Sequence, residues 1–180
     1  CEKDNIVIRI TTNNTKMKQR TKRAIDLFSG CGGLTLGLRK AGFSVVGAVE
    51  MDDLAVETYK KNHKKTYVWH ADIRQLSPRT MRLALGLKEG ELDLLAGCPP
   101  CQGFSSMRTL NGGKEVDEPQ NDLVFQLLRF VKEFKPRAIM MENVPGLAKD
   151  HRIEEVSREL TDLGYAVRYS VLDAANYFVP

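Results

Sequence analysis

Arg23-Ala24-Ile25-Asp26-Leu27-Phe28-Ser29-Gly30-Cys31-Gly32-Gly33 is the stretch whose reading decides the fold. A short apolar run ends in a glycine-rich turn, and a helical pattern from about Leu34 to Lys40 follows. Gly42 stops that helix, as a residue tolerant of positive φ does. Ser44 to Val49 then supplies a second strand, its Val45, Val46 and Val49 favouring a pleated surface. This is a strand–turn–helix–strand unit, and the same alternation continues along the chain. Asp53 is placed to cap a helix through Leu54, Val56, Tyr59 and Lys60. Thr66 to Trp69 reads as a third strand and Leu92 to Ala96 as a fourth. Leu123, Leu127, Phe130, Val131 and Phe134 stand at helical spacing, and Pro136 ends that helix. Ala138 to Met141 is a fifth strand, Ile153 to Leu163 a helix closed by Gly164, and Ala166 to Leu172 a sixth strand.

Repeated strand–helix units of this length imply an α/β fold, a doubly wound and mostly parallel sheet with helices on both faces. At 180 residues, with 42% hydrophobic and 28% charged residues, the chain has the make-up of one soluble globular domain. No apolar run reaches the ~18 residues a membrane span needs. The start lacks Met and any apolar signal region, so the chain is expected to be cut from something longer and to be cytoplasmic or nucleoid-associated. Four cysteines are too few and too scattered for a disulfide scaffold. Cys98 and Cys101 lack the second ligand pair a structural zinc would want, so no metal is expected. The net charge of +4 gathers in Lys16, Lys18, Arg20, Lys22 and Arg23, and again in Lys60, Lys61, Lys64 and Lys65. Either run could meet phosphates, although a solvated surface explains each one alone. Residues 1–21 read as a basic extension and 22–180 as the domain proper.

In an open parallel sheet, ligands bind at the carboxyl ends of the strands near the reversal of strand order. The glycine turn stands at one such end. By itself it equally suits a tight turn without a ligand. Glu50 ends the second strand, where a carboxylate can accept from both hydroxyls of a ribose. Asp72 follows the third strand, where it can accept from an adenine amino group. Either acid alone reads as a surface residue, but the three features at successive strand ends favour a nucleoside site. No Gly-x-x-x-x-Gly-Lys motif supports a nucleoside triphosphate.

The segment Gly97-Cys98-Pro99-Pro100-Cys101-Gln102-Gly103-Phe104 carries the chemistry. Two prolines fix the backbone just before Cys101. Such rigidity suits a nucleophile that must approach an atom at a set angle, although an inert thiol is the plainer alternative. The fifth strand ends in Glu142-Asn143-Val144, which brings a carboxylate beside that cysteine, because neighbouring strands lie only ~5 Å apart. Between the two, 97–120 is unusually long for a loop inside a compact domain, and such loops are usually functional or disordered.

Asp26 to Gly33, Pro99 to Gln102 and Glu142 to Val144 resemble, in order and spacing, motifs I, IV and VI of the cytosine-C5 methyltransferase family. The resemblance runs from about Lys22 to the end of the chain. It implies a Rossmann-like methyltransferase fold, here truncated, that uses S-adenosylmethionine on double-stranded DNA. By that resemblance Cys101 is the nucleophile and Glu142 its catalytic partner. Phe28, Gly30, Gly32, Gly33, Leu34, Glu50, Met51, Asp72, Ile73, Cys98, Pro100 and Leu123 would hold the cofactor. Gln102, Ser105 and Asn143 would meet the substrate, and 103–119 would form a lid over a flipped base. The chain departs from the family at Cys98, where Gly is common, and at Gln120, where an arginine is usual.

Asp173 to Pro180 resembles the entry to a later motif, and the arginines and target-recognition region that follow it in the family lie beyond the chain. A truncated record of a longer enzyme and one subunit of a split enzyme, completed by a C-terminal partner, both account for this. Three rivals stand beside the DNA enzyme. A transfer-RNA cytosine methyltransferase would differ in the absent C-terminal part. A silent subunit of the same fold would have no use for Cys101 and Glu142. A small-molecule methyltransferase would not need the Pro-Pro-Cys-Gln element.

Overall fold

The computed structural model describes residues 4–11, as backbone, together with 20–100, 123–144 and 150–177. Its frame is one seven-stranded sheet in the order β4-β3-β2-β5-β6-β1-β7. The strands are β1 (Asp4–Thr11), β2 (Lys22–Leu27), β3 (Phe43–Glu50), β4 (Tyr67–His70), β5 (Leu94–Gly97), β6 (Ala138–Asn143) and β7 (Tyr169–Asp173). β2 pairs in parallel with β3 and with β5, β3 with β4, and β5 with β6. β1 alone runs antiparallel, between β6 and β7.

The helices are α1 (Gly33–Lys40), α2 (Asp53–Asn62), α3 (Pro78–Ala84), α4 (Leu123–Phe134) and α5 (His151–Asp162). Each boundary has a local cause. Gly42 takes φ +88° just after α1 and Gly164 takes φ +88° just after α5, a conformation that costs a glycine little. Ser77 accepts from the Thr80 N–H, and Pro78 at the first helical position suits a fixed φ. Asp150 accepts from the Arg152 N–H at the start of α5. At α2 the cap is Asp52, which accepts from the Ala55 N–H at 2.8 Å. Asp53, the expected cap, is the first helical residue and lies 3.1 Å from His70.

Two cores result. Ile25, Leu27 and Leu95 of the sheet pack with Leu127, Phe130 and Phe134 of α4 and Ile153, Val156 and Leu160 of α5. On the other face Ala24, Val45, Leu94 and Ala96 pack with Leu38 of α1. Each buried apolar side chain contributes about 1.5–3 kcal/mol, so α4, with seven buried residues of its twelve, is the main clamp on the first face. At the amino end of the sheet Asp93 ties the strands together. It pairs with Arg20 at 2.9 Å and accepts from the Arg23 N–H at 2.8 Å.

The expected strands and helices are present, with ends moved by up to three residues. Two elements were not expected. α3 fills the connection between β4 and β5, and β1 lies within the segment read as a basic extension.

Candidate functional site

The order of strands reverses between β2 and β5. From β2 the chain steps to β3 and β4 on one side, and β5 and β6 fill the other. A crevice opens at the carboxyl ends of such neighbours. A cavity lies there, lined by Phe28, Val49, Glu50, Met51, Ala71, Asp72, Ile73, Arg74, Cys98, Pro100 and Leu123. Eight of the twelve residues expected around a cofactor thus share one wall. Gly30, Gly32, Gly33 and Leu34 are not on that wall and instead form the turn and helix start beside it.

Phe28, the residue after β2, takes φ 58°, a left-handed conformation uncommon for a side chain of this size. The turn after it is held from several sides. The Ser29 N–H donates to the Val49 carbonyl at 3.0 Å. The Gly30 N–H donates to Glu50 Oε2 at 2.8 Å. Gly32 takes φ +95°, and a Cβ there would lie 2.2 Å from His63 Nε2, so this position admits no side chain as the structure stands.

Glu50 spans the site. Oε1 accepts from the Met51 and Asp52 N–H groups at 2.8 and 2.9 Å, while Oε2 accepts from Gly30. A carboxylate has about four acceptor positions, so Oε2 keeps capacity for a hydroxyl entering the cavity. Asp72 is differently engaged. Arg74 donates to it through its backbone N–H, Nε and Nη2, at 2.5–3.0 Å. These bonds hold the Asp72 carboxyl below the usual carboxylate range. The loop that carries Asp72 is fixed from α4. Arg129 donates to the carbonyls of Ile73, Arg74 and Leu76 at 3.1–3.3 Å. Neither arginine was foreseen, because an arginine on a helix face or in a loop reads as solvated until the fold brings its partners near.

Beneath the turn, Asp26 is fully buried. The Thr35 hydroxyl donates to its Oδ2 at 2.6 Å, and the Tyr59 hydroxyl lies 2.7 Å from that of Thr35. Oδ1 has no protein partner among the described residues. Burial outweighs the Thr35 bond and pushes the Asp26 carboxyl up to about 7.

β5 and β6 are neighbours, with Gly97 level with Met141, so Cys98 and Glu142 come next on the two strands. Burial raises the Glu142 carboxyl above its ordinary range, against the opposing effect of a hydrogen bond from the Cys98 thiol. Burial and the nearby carboxyls of Glu142 and Asp26 hold Cys98 strongly in its thiol form. Asn143 is buried; its Nδ2 donates to the Pro99 carbonyl at 3.0 Å and its Oδ1 accepts from the Val144 N–H at 2.9 Å. Its side chain therefore secures the strand leading to Cys101. Cys101, Gln102, Ser105, the expected lid at 103–119 and Gln120 lie outside the described residues.

An apolar cavity at the sheet's switch point, lined by Glu50 and Asp72, sits in a doubly wound α/β protein that carries a carboxylate level with the start of a Cys-Pro-Pro segment. Residues 22–180 match C-5 cytosine-specific DNA methylase, and the chain belongs to that family. It is 38% identical over 161 residues to type II methyltransferase M.AgeI of Thalassovita gelatinovora, covering 88% of this chain and 37% of that protein. It is 36% identical over 170 residues to type II methyltransferase M.AquIA of Picosynechococcus, covering 88% of this chain and 67% of that one. Among solved structures, one assigned as a DNA modification methyltransferase encoded within an E. coli prophage superimposes with a TM-score of 0.63. It is 32% identical and is matched over 79% of this chain and 37% of its own. The S. pombe Dnmt2 methyltransferase gives a TM-score of 0.61 at 25% identity, covering 81% of this chain and 41% of that chain. The chain thus spans well under half the length of most of these relatives. No helix among the described residues is long and apolar enough to cross a membrane.

Proposed function

We propose that this chain is the catalytic and cofactor-binding part of a DNA cytosine-C5 methyltransferase that uses S-adenosylmethionine. The observation that carries this reading is the in-register placement of Glu142 beside the segment leading to Cys101, whose Cys98 and Pro100 line the same cavity as Glu50 and Asp72. The cavity suits the cofactor chemically. Phe28, Ile73 and Leu123 offer apolar faces to an adenine, and Glu50 keeps acceptor capacity for ribose hydroxyls. No group of three or more His, Cys, Asp or Glu side chains that could hold a metal occurs among the described residues.

Carbon-5 of cytosine is a poor nucleophile, and covalent catalysis overcomes this. The Cys101 thiolate adds to carbon-6. Glu142 hydrogen-bonds at N3 and the exocyclic amine and steadies the charge that moves into the ring. Burial, which favours the protonated carboxyl, equips Glu142 to share a proton there. S-adenosylmethionine, when bound, supplies the methyl group, carried on a cationic sulfur. Loss of the carbon-5 proton and expulsion of the Cys101 thiolate restore the aromatic ring. Because the target carbon is hidden in a stacked duplex, the base must be flipped out to reach Cys101.

The test uses the intact methyltransferase containing this chain. Cys101→Ser should bring methylation below detection while cofactor binding persists, because an alcohol ionises far less readily than a thiol. DNA carrying 5-fluorocytosine should trap a covalent adduct on Cys101, since fluorine replaces the proton that must leave. An active Cys101→Ser enzyme, or an adduct mapped to Cys98 or Cys31, overturns the assignment.

A second arrangement, in which a separate C-terminal subunit completes the enzyme, draws support from length. This chain covers 67% of M.AquIA but 37% of M.AgeI, so these relatives differ widely in how much lies outside the shared part.

A further inference from the structure

Cys98 stands where two parts of the site meet. It lines the nucleoside cavity together with Pro100, and it comes level with Glu142 on the neighbouring strand, one residue beyond the Gly97–Met141 pair. Its backbone has little freedom. On one side Gly97 packs so closely against β2 that an added Cβ would lie 3.2 Å from the Leu27 carbonyl. The Cys98 N–H donates to that same carbonyl at 3.2 Å. On the other side, the Pro99 carbonyl is held by Asn143, the residue after Glu142. The thiol and the carboxylate are thus fixed relative to each other from both strands.

We propose, on the reading of Glu142 given above, that Cys98 is a positioning residue: its S–H donates to Glu142 and sets the orientation and proton affinity with which that carboxyl meets the cytosine. A glycine at this position would offer no such donor. The surroundings keep the sulfur in the role. Burial and the neighbouring Glu142 and Asp26 carboxyls disfavour a thiolate, so Cys98 stays a donor and does not compete with Cys101 as a nucleophile. Described residues of the two neighbouring strands border Glu142. Cys98 comes from the segment after β5, and Asp26 acts from β2 through its effect on that thiol. Val7 of β1 stands opposite in the ladder and is uncharged. The charged residues of β1, Asp4 and Arg9, are level with Asp173 and Met140.

The sign of the effect follows. A donor to the ionised carboxylate lowers its proton affinity, so removing the thiol raises it further. In the intact methyltransferase, Cys98→Ala should lower kcat by roughly fivefold to tenfold, the worth of one such bond, a loss larger than any change in KM for S-adenosylmethionine, whose cavity Cys98 also lines. The limb of the kcat–pH profile governed by Glu142 should move to higher pH. Cys98→Ser, which restores a donor, should recover most of kcat and move that limb back. A Cys98→Ala profile superimposable on that of the unaltered enzyme, a defect confined to the cofactor KM, or equal defects in the Ala and Ser variants would overturn the proposal. Glu142→Gln separates the two claims: its full activity would remove the role of Glu142 itself, whereas its inactivity beside an unaltered Cys98→Ala profile would remove only the role of Cys98.

Discussion

Asp26 is a carboxyl that the fold encloses without fully neutralising it. Its pKa is raised from 3.8 to about 7 by burial, so the folded state binds this proton more tightly than the unfolded one. Between these values the native form holds more protons, and stability falls as pH rises. The Asp26 contribution is fully present below about pH 4 and gone above about pH 7, a span on the order of 4 kcal/mol. Asp26→Asn removes the titration while leaving an oxygen for the Thr35 hydroxyl. The urea midpoint of the unaltered protein should therefore drop between pH 5 and 8 relative to that of the variant. Parallel curves for the two would show that Asp26 is already ionised in the folded protein. Glu50 makes a different kind of demand, because it holds the glycine turn through Gly30 while keeping capacity for a ligand. Glu50→Ala should weaken S-adenosylmethionine binding by about tenfold to a hundredfold, since hydrogen bonds to a charged acceptor are worth ~1.5–3 kcal/mol each. Calorimetry giving an unchanged affinity would remove Glu50 from the site.

At the scale of elements, the loop after β4 depends on α4. Arg129 gathers three carbonyls of 73–76 around one guanidinium, and Asp72 and Ile73 on that loop face the cavity. Arg129→Ala should raise the cofactor dissociation constant severalfold and leave Cys101 reactivity with 5-fluorocytosine DNA at saturating cofactor nearly intact, a combination that binding and trapping assays read separately. Equal losses in both would point to general unfolding of α4. This dependence was not legible in the sequence, whereas β2, α1 and β3 were. Apolar runs and glycine stops are local signals, but the partners of Arg129 lie more than fifty residues away. The sequence reading puts the cap of α2 at Asp53, and only backbone geometry gives that place to its neighbour Asp52. α3 had a signal in Ser77-Pro78, but its seven residues are too short to show a clear period. β1 had one too, in the alternation of Ile6, Ile8 and Ile10, outweighed by the lysines and arginines that follow. In the site, Glu50, Asp72 and Glu142 could be read because each ends a strand or directly follows one, the place where an open sheet binds. The level placement of Cys98 with Glu142 could not, because it needs the register of two strands.

The whole molecule is a sheet whose last strand faces solvent. Tyr169 and Val171 of β7 are 54% and 52% exposed, at the open edge of the sheet beyond β1. The chain spans 37% of relatives such as M.AgeI. The purified 180-residue chain is therefore expected to bind S-adenosylmethionine but not to methylate DNA; transfer of tritiated methyl groups at a rate like that of an intact relative would refute this. The antiparallel strand has one more consequence, in the order of events as the protein is made. β1 leaves the ribosome before its partners on both sides, β6 and β7, which are the last two of the seven described strands in chain order. The units from β2 through β5 can associate with one another as they are synthesised, whereas β1 must wait, its backbone unpaired, until β6 and β7 are out. Chaperone dependence and slow folding phases should therefore concentrate in this early-made, late-placed strand.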